Sequence, residues 1–327
     1  NAFEVTTLRR DVATDGRWAE VSFTDSFSAD AARRDLTINA LSCDRTGRLF
    51  DPFDGQADLA AGRIRFVGEP VVRIREDYLR ILRFLRFFAR FGREWPEAVV
   101  LQALEQTRGG LDQLSGERLR AELLKLLVAP RVEASLALAA RTGVWQQLFV
   151  AEPRLGPFSK LLAAAPEAGP IVGLAVLLRG VADSEAAADR LRLSNHERER
   201  VVDLTTAELP ALDLAPAALR QLAYRLGVER LRERLFVTAA EEGAGPSVLA
   251  RAQAVVDGFM PPALPVSGHD LMALGVPAGP ALGARLRALE EIWLASDFAV
   301  DREQLLAGVG RDVGDPPTGN AEEGDET

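Results

Sequence analysis

The chain has 327 residues, 47% of them hydrophobic, which is enough to bury a sizeable core and to divide into more than one domain. Its single cysteine, Cys43, excludes an internal disulfide and a cysteine-rich zinc site, its two histidines leave little for histidine-based metal or triad chemistry, and no apolar run reaches the roughly 18 residues of a membrane span. The net charge of −9 argues against nucleic-acid binding only as an average, because residues 1–96 carry 16 arginines against 15 acidic residues while the remainder carries 23 basic against 33 acidic.

Short segments rich in β-branched and aromatic residues come first. Residues 2–8 (AFEVTTL), 19–24 (AEVSFT), 36–43 (LTINALSC) and 63–67 (RIRFV) are separated by Asp/Gly turns, and they read as strands or strand-helix junctions. From about residue 70 the period becomes helical and stays so, through "REDYLRILRFLRFFARFG", "SGERLRAELLKLLVA", "RVEASLALAARTGVWQQLF", "AALRQLAYRLG" and "AGPALGARLRALEEIWLA". The end, "GDPPTGNAEEGDET", is acidic, rich in Pro and Gly, and reads as disordered. The opening "NAFEVTTLRR" enters a strand pattern at once, and 67 residues make only a small sheet, so the front reads as the later part of an α/β domain. The absence of a signal-peptide pattern and the lone cysteine suit a reducing, cytoplasmic compartment.

The most informative helical stretch contains "REDYLRILRFLRFFARFG". At 100° per residue, Arg80, Arg83, Arg86, Arg90 and Arg93 share one arc, while Ile81, Leu82, Phe84, Leu85 and Phe88 fill most of the other side. Read as one helix, it places Asp77 and Arg80 side by side, three residues apart. Glu76 can pair with Arg80, but five arginines against one or two local acids leave most of them for an external anion. Read locally, "DAARRDLTINA" allows a salt bridge from Arg33 or Arg34 to Asp35, with Asn39 as a turn residue.

Six blocks in order, "FEVTTLRRD", "DAARRDLTINAL", "DPFDGQADLAAGRIRFVGEP", "RIREDYLRILRFLRFFARFG", "SGERLRAELLKLL" and "VSGHDLMALGVPAGPALGARL", span essentially the whole chain. Together they resemble the bacterial tRNA nucleotidyltransferase and poly(A) polymerase family, the CCA-adding enzymes. The resemblance implies an α+β fold: a nucleotidyltransferase (polymerase-β-like) α/β head, of which residues 1–67 are the C-terminal part, a helical neck over 68–130, and a helical, RNA-binding body and tail over 131–310, before a disordered acidic tail at 311–327. It implies CTP and ATP as substrates, the tRNA 3′ end as partner and Mg2+ as cofactor. The family's Gly-rich turn and Asp-x-Asp metal pair have no match in this sequence. Its principal magnesium ligands are therefore expected upstream, and the sequence as it stands is expected to be catalytically inactive.

Carried over residue by residue, the resemblance makes Glu4 an acidic catalytic residue near the metals. Arg34 is the triphosphate-contacting arginine, Asp35 belongs to the same motif, and Asn39 meets the ribose. A guanidinium fork matches phosphate oxygens, and an amide both donates to and accepts from a 2′-hydroxyl. Asp77 and Arg80 then form a protein template: cytosine and adenine each present an amino donor beside a ring-nitrogen acceptor, whereas uracil and guanine present the wrong pair. Arg83 and Arg86 face the triphosphate. "ERLRAELLKLL" reads as a packing helix, and the Gly-rich "VSGHDLMALGVPAGPALG" either meets an RNA phosphate at a helix N-terminus or packs the C-terminal helices. Trp18, Leu36 and Ser42 depart from the family's usual residues. Two other readings stay open: a poly(A) polymerase sharing this head and neck, and a nucleotide- or RNA-binding remnant without chemistry.

Overall fold

The computed structural model describes residues 7–14 and 19–312. At the front, β1 (Arg9–Thr14) pairs antiparallel with β2 (Ala19–Phe23), and the register shifts between Asp11 and Ala13. The Ser26 hydroxyl accepts from the Ala29 N–H and starts α1 (Phe27–Ala32).

Residues 36–43 and 63–67 carry the composition of strands, but among the described residues they form only one isolated bridge and one two-residue pairing. One bridge joins Leu36 to Phe66, flanked by Thr37 N–H donating to the Arg65 carbonyl and Val67 N–H donating to that of Asp35. A short 3-10 turn at Thr37–Asn39 and a two-residue pairing of β3 (Ser42–Cys43) with β4 (Leu49–Phe50) take up the rest. Leu36, Ile64, Phe66 and Val67 are all buried, so the apolar signal in these segments reports burial rather than a ladder. In α2 (Gly55–Ala61), Gly55 must lack a side chain because a Cβ would strike the carbonyl oxygen of Thr37.

α3 (Pro70–Glu76) opens with a proline where no N–H is needed, and the Glu69 carboxylate accepts from the Val72 N–H at 2.7 Å. Asp77 then turns extended (φ −158°, ψ 105°), and a new helix, α4 (Arg80–Phe91), begins three residues on. The single helix expected from the sequence is therefore two. The apolar side of α4 packs on α6 (Gly116–Leu127) and α7 (Val132–Arg141), with α5 (Ala98–Thr107) against α3. Phe66, Phe84 and Phe88 form a stack at 5.2 and 6.5 Å between ring centres.

Gly143, at φ 71°, breaks the next periodic stretch between α7 and α8 (Val144–Phe149). α9 (Leu155–Ala164) leads to α10 (Pro170–Leu178), in which every residue from Ile171 to Leu178 is buried. A helix apolar on all sides belongs at the centre of a helical body, and α6, α9 and α12 (Asn195–Thr206) pack around it, with α11 (Ser184–Arg190) preceding α12.

The chain divides into two compact units, residues 1–212 with 233–249, and residues 213–232 with 250–327. α14 (Val228–Glu242) and α15 (Pro246–Asp257), which follow α13 (Pro216–Leu226), each contribute residues to both units. Within the first unit, the late segment is fixed by arginine-carboxylate pairs: Arg154 forks onto Glu241, Arg234 onto Asp203, and Arg200 onto Glu233.

The second unit adds α16 (Gly268–Ala273), α17 (Pro280–Ala295) and α18 (Arg302–Asp312) around Leu271, Leu289, Trp293 and Leu305. Past the end of α17, Asp297 and Phe298 adopt positive φ of 55° and 66°, a conformation that disfavours residues with a Cβ. The Arg220 fork on Asp297 and the packing of Phe298 against Trp293 and Tyr224 hold it there. No helix of the described residues is long and apolar enough to cross a membrane.

Asp270 gives the second unit an acid sensitivity. Its carboxylate accepts from Arg302 at 2.6 Å and from the Ser267 N–H and hydroxyl at 2.8 Å each, and these bonds hold its pKa down to about 2. Because the folded value lies below the unfolded one of about 3.9, its stabilisation is complete above about pH 4 and is lost as pH falls towards 2. The thermal midpoint should therefore fall between pH 5 and pH 2. Asp270→Asn should lower the midpoint at neutral pH and shrink that acid-side fall.

Candidate functional site

The charges around α1 are arranged on a buried carboxylate. Asp30 is 6% exposed, and its two oxygens accept separately: Oδ1 from Arg33 Nε and Nη2 (2.9 and 2.7 Å), and Oδ2 from Arg34 Nε and Nη2 (3.2 and 2.7 Å). The Arg9 N–H adds a further bond at 3.1 Å. Burial alone would raise the Asp30 carboxyl, but the Arg34 and Arg33 bonds hold it below its ordinary value. Neither arginine therefore uses Asp35, the partner suggested by sequence adjacency. A carboxylate three or four residues earlier on a helical turn reaches both guanidinium groups, and Asp35 points elsewhere.

Asp35, also 6% exposed, accepts from Arg83 Nε at 2.6 Å and from the Asn39 amide at 3.0 Å. Burial pushes this carboxyl up, the Arg83 bond and charge and the Asn39 bond pull it down, and the net direction is down. Arg83 is raised in turn: burial opposes its charge, but the bond and charge of Asp35 outweigh that. The 3-10 turn that orients Asn39 is secured beneath by Thr37, whose hydroxyl donates to the buried Asp58 carboxylate at 2.7 Å, and Arg65 Nε donates to the same group at 2.8 Å.

Two guanidinium groups tie the end of α1 to the α3-α4 junction. Arg73 donates to the Ala32 carbonyl at 2.9 Å and to Glu76 at 2.9 Å, and Arg80 donates to Glu76, to the Arg73 carbonyl at 2.7 Å and to the Arg33 carbonyl at 3.3 Å. Cations at the carbonyl end of a helix are favoured by its dipole as well as by hydrogen bonding.

Asp77 does not lie beside Arg80 on a helical face. In its extended conformation it accepts from the Leu79 N–H at 3.1 Å and from Arg118 Nη2 of α6 at 2.8 Å. Its neighbour Tyr78 lies flat over Gly110, where a Cβ would collide with the ring, so the glycine makes room for the break.

The structure thus sets Arg34, Asp35, Asn39, Asp77, Arg80 and Arg83 in neighbouring but separately bonded groups: Arg34 on Asp30, Arg83 and Asn39 on Asp35, Arg80 on Glu76 and the Arg33 carbonyl, and Asp77 on Arg118. Arg86, one turn beyond Arg83, donates to Glu122 of α6 at 2.6 Å. Glu4 lies outside the described residues, as does Trp18. The expectation that most of these arginines lack protein partners fails: Arg80, Arg83 and Arg86 are paired with Glu76, Asp35 and Glu122. Two of those acids lie 48 and 36 residues away in sequence, so local counting could not find them.

Sequence reasoning also missed Asp30, Arg73, Arg118 and Glu122 as organisers of the site. Glu122 did leave a signal, because it occupies a position on the apolar face of α6 with Leu119, Leu123 and Leu126. Among the described residues there is no group of three or more His, Cys, Asp or Glu that could hold a metal ion. What the site residues can do is hold an anion with arginine forks and read the edge of a base.

Known proteins resemble this chain over most of its length. Residues 1–65 match a family model described as Poly A polymerase head domain, and residues 96–155 match one described as Probable RNA and SrmB-binding site of polymerase A. The chain is 33% identical to the mitochondrial CCA tRNA nucleotidyltransferase 1 of Danio rerio, covering 93% of this chain and 72% of that protein. It is also 33% identical to the CCA-adding enzyme of Geobacillus stearothermophilus, covering 94% and 78%. Among solved structures, the CCA-adding enzyme of Bacillus stearothermophilus in complex with CTP superposes with a TM-score of 0.76 at 29% identity, over 96% of this chain and 79% of that one.

The Asp35-Arg83 pair should be measurable as a coupling. Arg83→Leu leaves a buried carboxylate short of its main partner and should cost about 1–3 kcal/mol in urea unfolding. Adding Asp35→Asn to Arg83→Leu should recover part of that loss, because a neutral amide is less costly to bury than an unpaired charge.

Proposed function

This chain belongs to the family of CCA-adding tRNA nucleotidyltransferases, and from that premise we propose that it adds C, C and A to the tRNA 3′ end from CTP and ATP, releasing pyrophosphate. The observation that carries the reading is Asp35 accepting from both Asn39 and Arg83, which ties the 3-10 turn to α4, beside Arg80 donating to the Arg33 carbonyl at the end of α1. In this reading residues 1–67 serve as head, 68–130 as neck and 131–310 as RNA-binding body and tail, and the protein works in the cytoplasm.

Among these residues, Arg34 is the most open guanidinium, with its side chain 44% exposed, and it is placed to swing from Asp30 onto a phosphate oxygen. Asn39 offers its amide oxygen to a ribose hydroxyl while its nitrogen stays on Asp35. Arg83 and Arg86 complete the phosphate contacts. Asp77 keeps accepting capacity beyond Arg118 and Leu79, since two carboxylate oxygens provide about four lone-pair sites. It takes the amino group of cytosine or adenine while Arg80 donates to the ring nitrogen.

UTP and GTP would set a carbonyl against Asp77 and an N–H against Arg80, leaving both groups unpaired. A site built on such bonds can reject the wrong partner by about 10⁴–10⁵. Mg2+, the ion this reading assigns, would stabilise the leaving pyrophosphate. The described residues supply selection and positioning rather than its ligands.

The test is incorporation by the full-length protein on tRNA lacking CCA, on tRNA lacking only A, and on an unrelated RNA, with each of the four nucleotides supplied. Addition that stops at CCA and refuses UTP and GTP supports the reading, while long A tails on any RNA would replace it with poly(A) polymerase. Asp77→Asn, which presents an N–H as well as an oxygen, should cut discrimination of CTP against UTP by at least tenfold.

A further inference from the structure

Arg86, Arg90 and Lys125, with Val128 and Ala129, line a pocket of about 190 Å3 between the C-terminal halves of α4 and α6. That volume far exceeds the roughly 10–15 Å3 one water needs. No carboxylate lines it, and among the described residues the acid bonded to a lining cation is Glu122, on Arg86. Arg90 and Lys125 each stand in the last turn of their helices, where the helix dipole by itself favours a cation. Two helix ends contribute about one negative charge in total, and Glu122 one more, against three positive charges. An excess of about one positive charge remains for an external anion.

A second feature adjoins the pocket. Phe87 and Phe91 are only partly buried, and their rings stack 6.0 Å apart with 24° between planes. Arg86 lies over Phe87 at 4.4 Å and Arg90 over Phe91 at 5.6 Å. Aromatic rings interleaved with arginines beside a cationic pocket are the combination that holds single-stranded nucleic acid, by stacking bases and tracking phosphates. Along α4 the rise of about 1.5 Å per residue puts Arg90 roughly 10 Å beyond Arg83, so this surface shares Arg86 with the nucleotide's phosphate contacts and continues past them through Arg90 and Lys125.

We propose that the Arg86-Arg90-Lys125 pocket binds a backbone phosphate of the RNA strand being extended, with the Phe87-Phe91 surface supporting an adjacent base. The proposal rests on the nucleotidyltransferase reading, because it names where that reading's RNA substrate lies. A phosphate could equally come from the nucleoside triphosphate or from pyrophosphate, and the measurement is arranged to separate these sources.

The experiment follows binding of a tRNA transcript ending before CCA, and separately of CTP and of pyrophosphate, to the full chain at several salt concentrations. Arg90→Ala, Lys125→Ala and Phe87→Leu are compared with the unaltered protein, with unfolding midpoints checked for each. Each lost charge should weaken RNA binding several-fold and flatten the plot of log K against log salt by about 0.7–0.9. Phe87→Leu should weaken RNA binding without changing that slope, and CTP and pyrophosphate affinities should stay within twofold.

Losses in CTP or pyrophosphate binding equal to those for RNA would overturn the proposal in favour of a triphosphate site. Unchanged RNA affinity and slope in all variants would overturn it while leaving the family reading intact. Failure of the unaltered chain to bind RNA or CTP would instead defeat the reading on which the proposal rests.

Discussion

A carboxylate leaves water only when donors or cations go with it, and two such carboxylates, Asp30 and Asp35, organise the front of this molecule. They lie five residues apart and divide the arginines between them: Asp30 collects Arg33 and Arg34 from its own segment, and Asp35 reaches Arg83 on α4. Without the second pair, the segment carrying the 3-10 turn would lose its charged bond to α4. Glu76 and Arg80 extend the same logic to the α3-α4 junction, and Arg118 extends it to α6. The site is therefore a set of mutual charge neutralisations, and in the proposed reading a nucleotide entering it would exchange partners rather than fill vacant donors.

That exchange bears on affinity. An arginine already oriented by a carboxylate has paid much of its conformational entropy, so less is lost when it turns to a phosphate. The competing carboxylate has to be released in return, which limits the net gain. In the proposed reading the arrangement favours discrimination over tight binding, because a base that left Asp77 or Arg80 unsatisfied would forfeit bonds that the empty site already makes.

The sequence exposed the parts of this design that are local. The amphipathic division of residues 80–91, with Ile81, Leu82, Phe84, Leu85 and Phe88 inward, is as the 3.6-residue period predicts, because one helix face meets α6 and α7. The helix break at Asp77 was not visible, since neither Gly nor Pro marks it; its conditions are Gly110, 33 residues on, and Arg118 on another helix. The strand-like segments misled for a related reason. Leu36, Ile64, Phe66 and Val67 are apolar because they are covered, and periodicity does not distinguish covering by a helix from covering by a sheet. Block order along the chain identified the family, while the ion-pair partners that define the site required three dimensions.

The first unit is discontinuous: its last segment, residues 233–249, follows part of the other unit in the chain. Arg154 waits for Glu241, and at translation rates of about 5–20 residues per second that interval lasts roughly 4–17 seconds. During it, residues 1–212 of the first unit have been made but the segment 233–249 that completes it has not. Folding of the first unit is therefore completed only after residues 213–232 of the other unit have left the ribosome, so the early contacts of residues 1–212 form before their last partners exist.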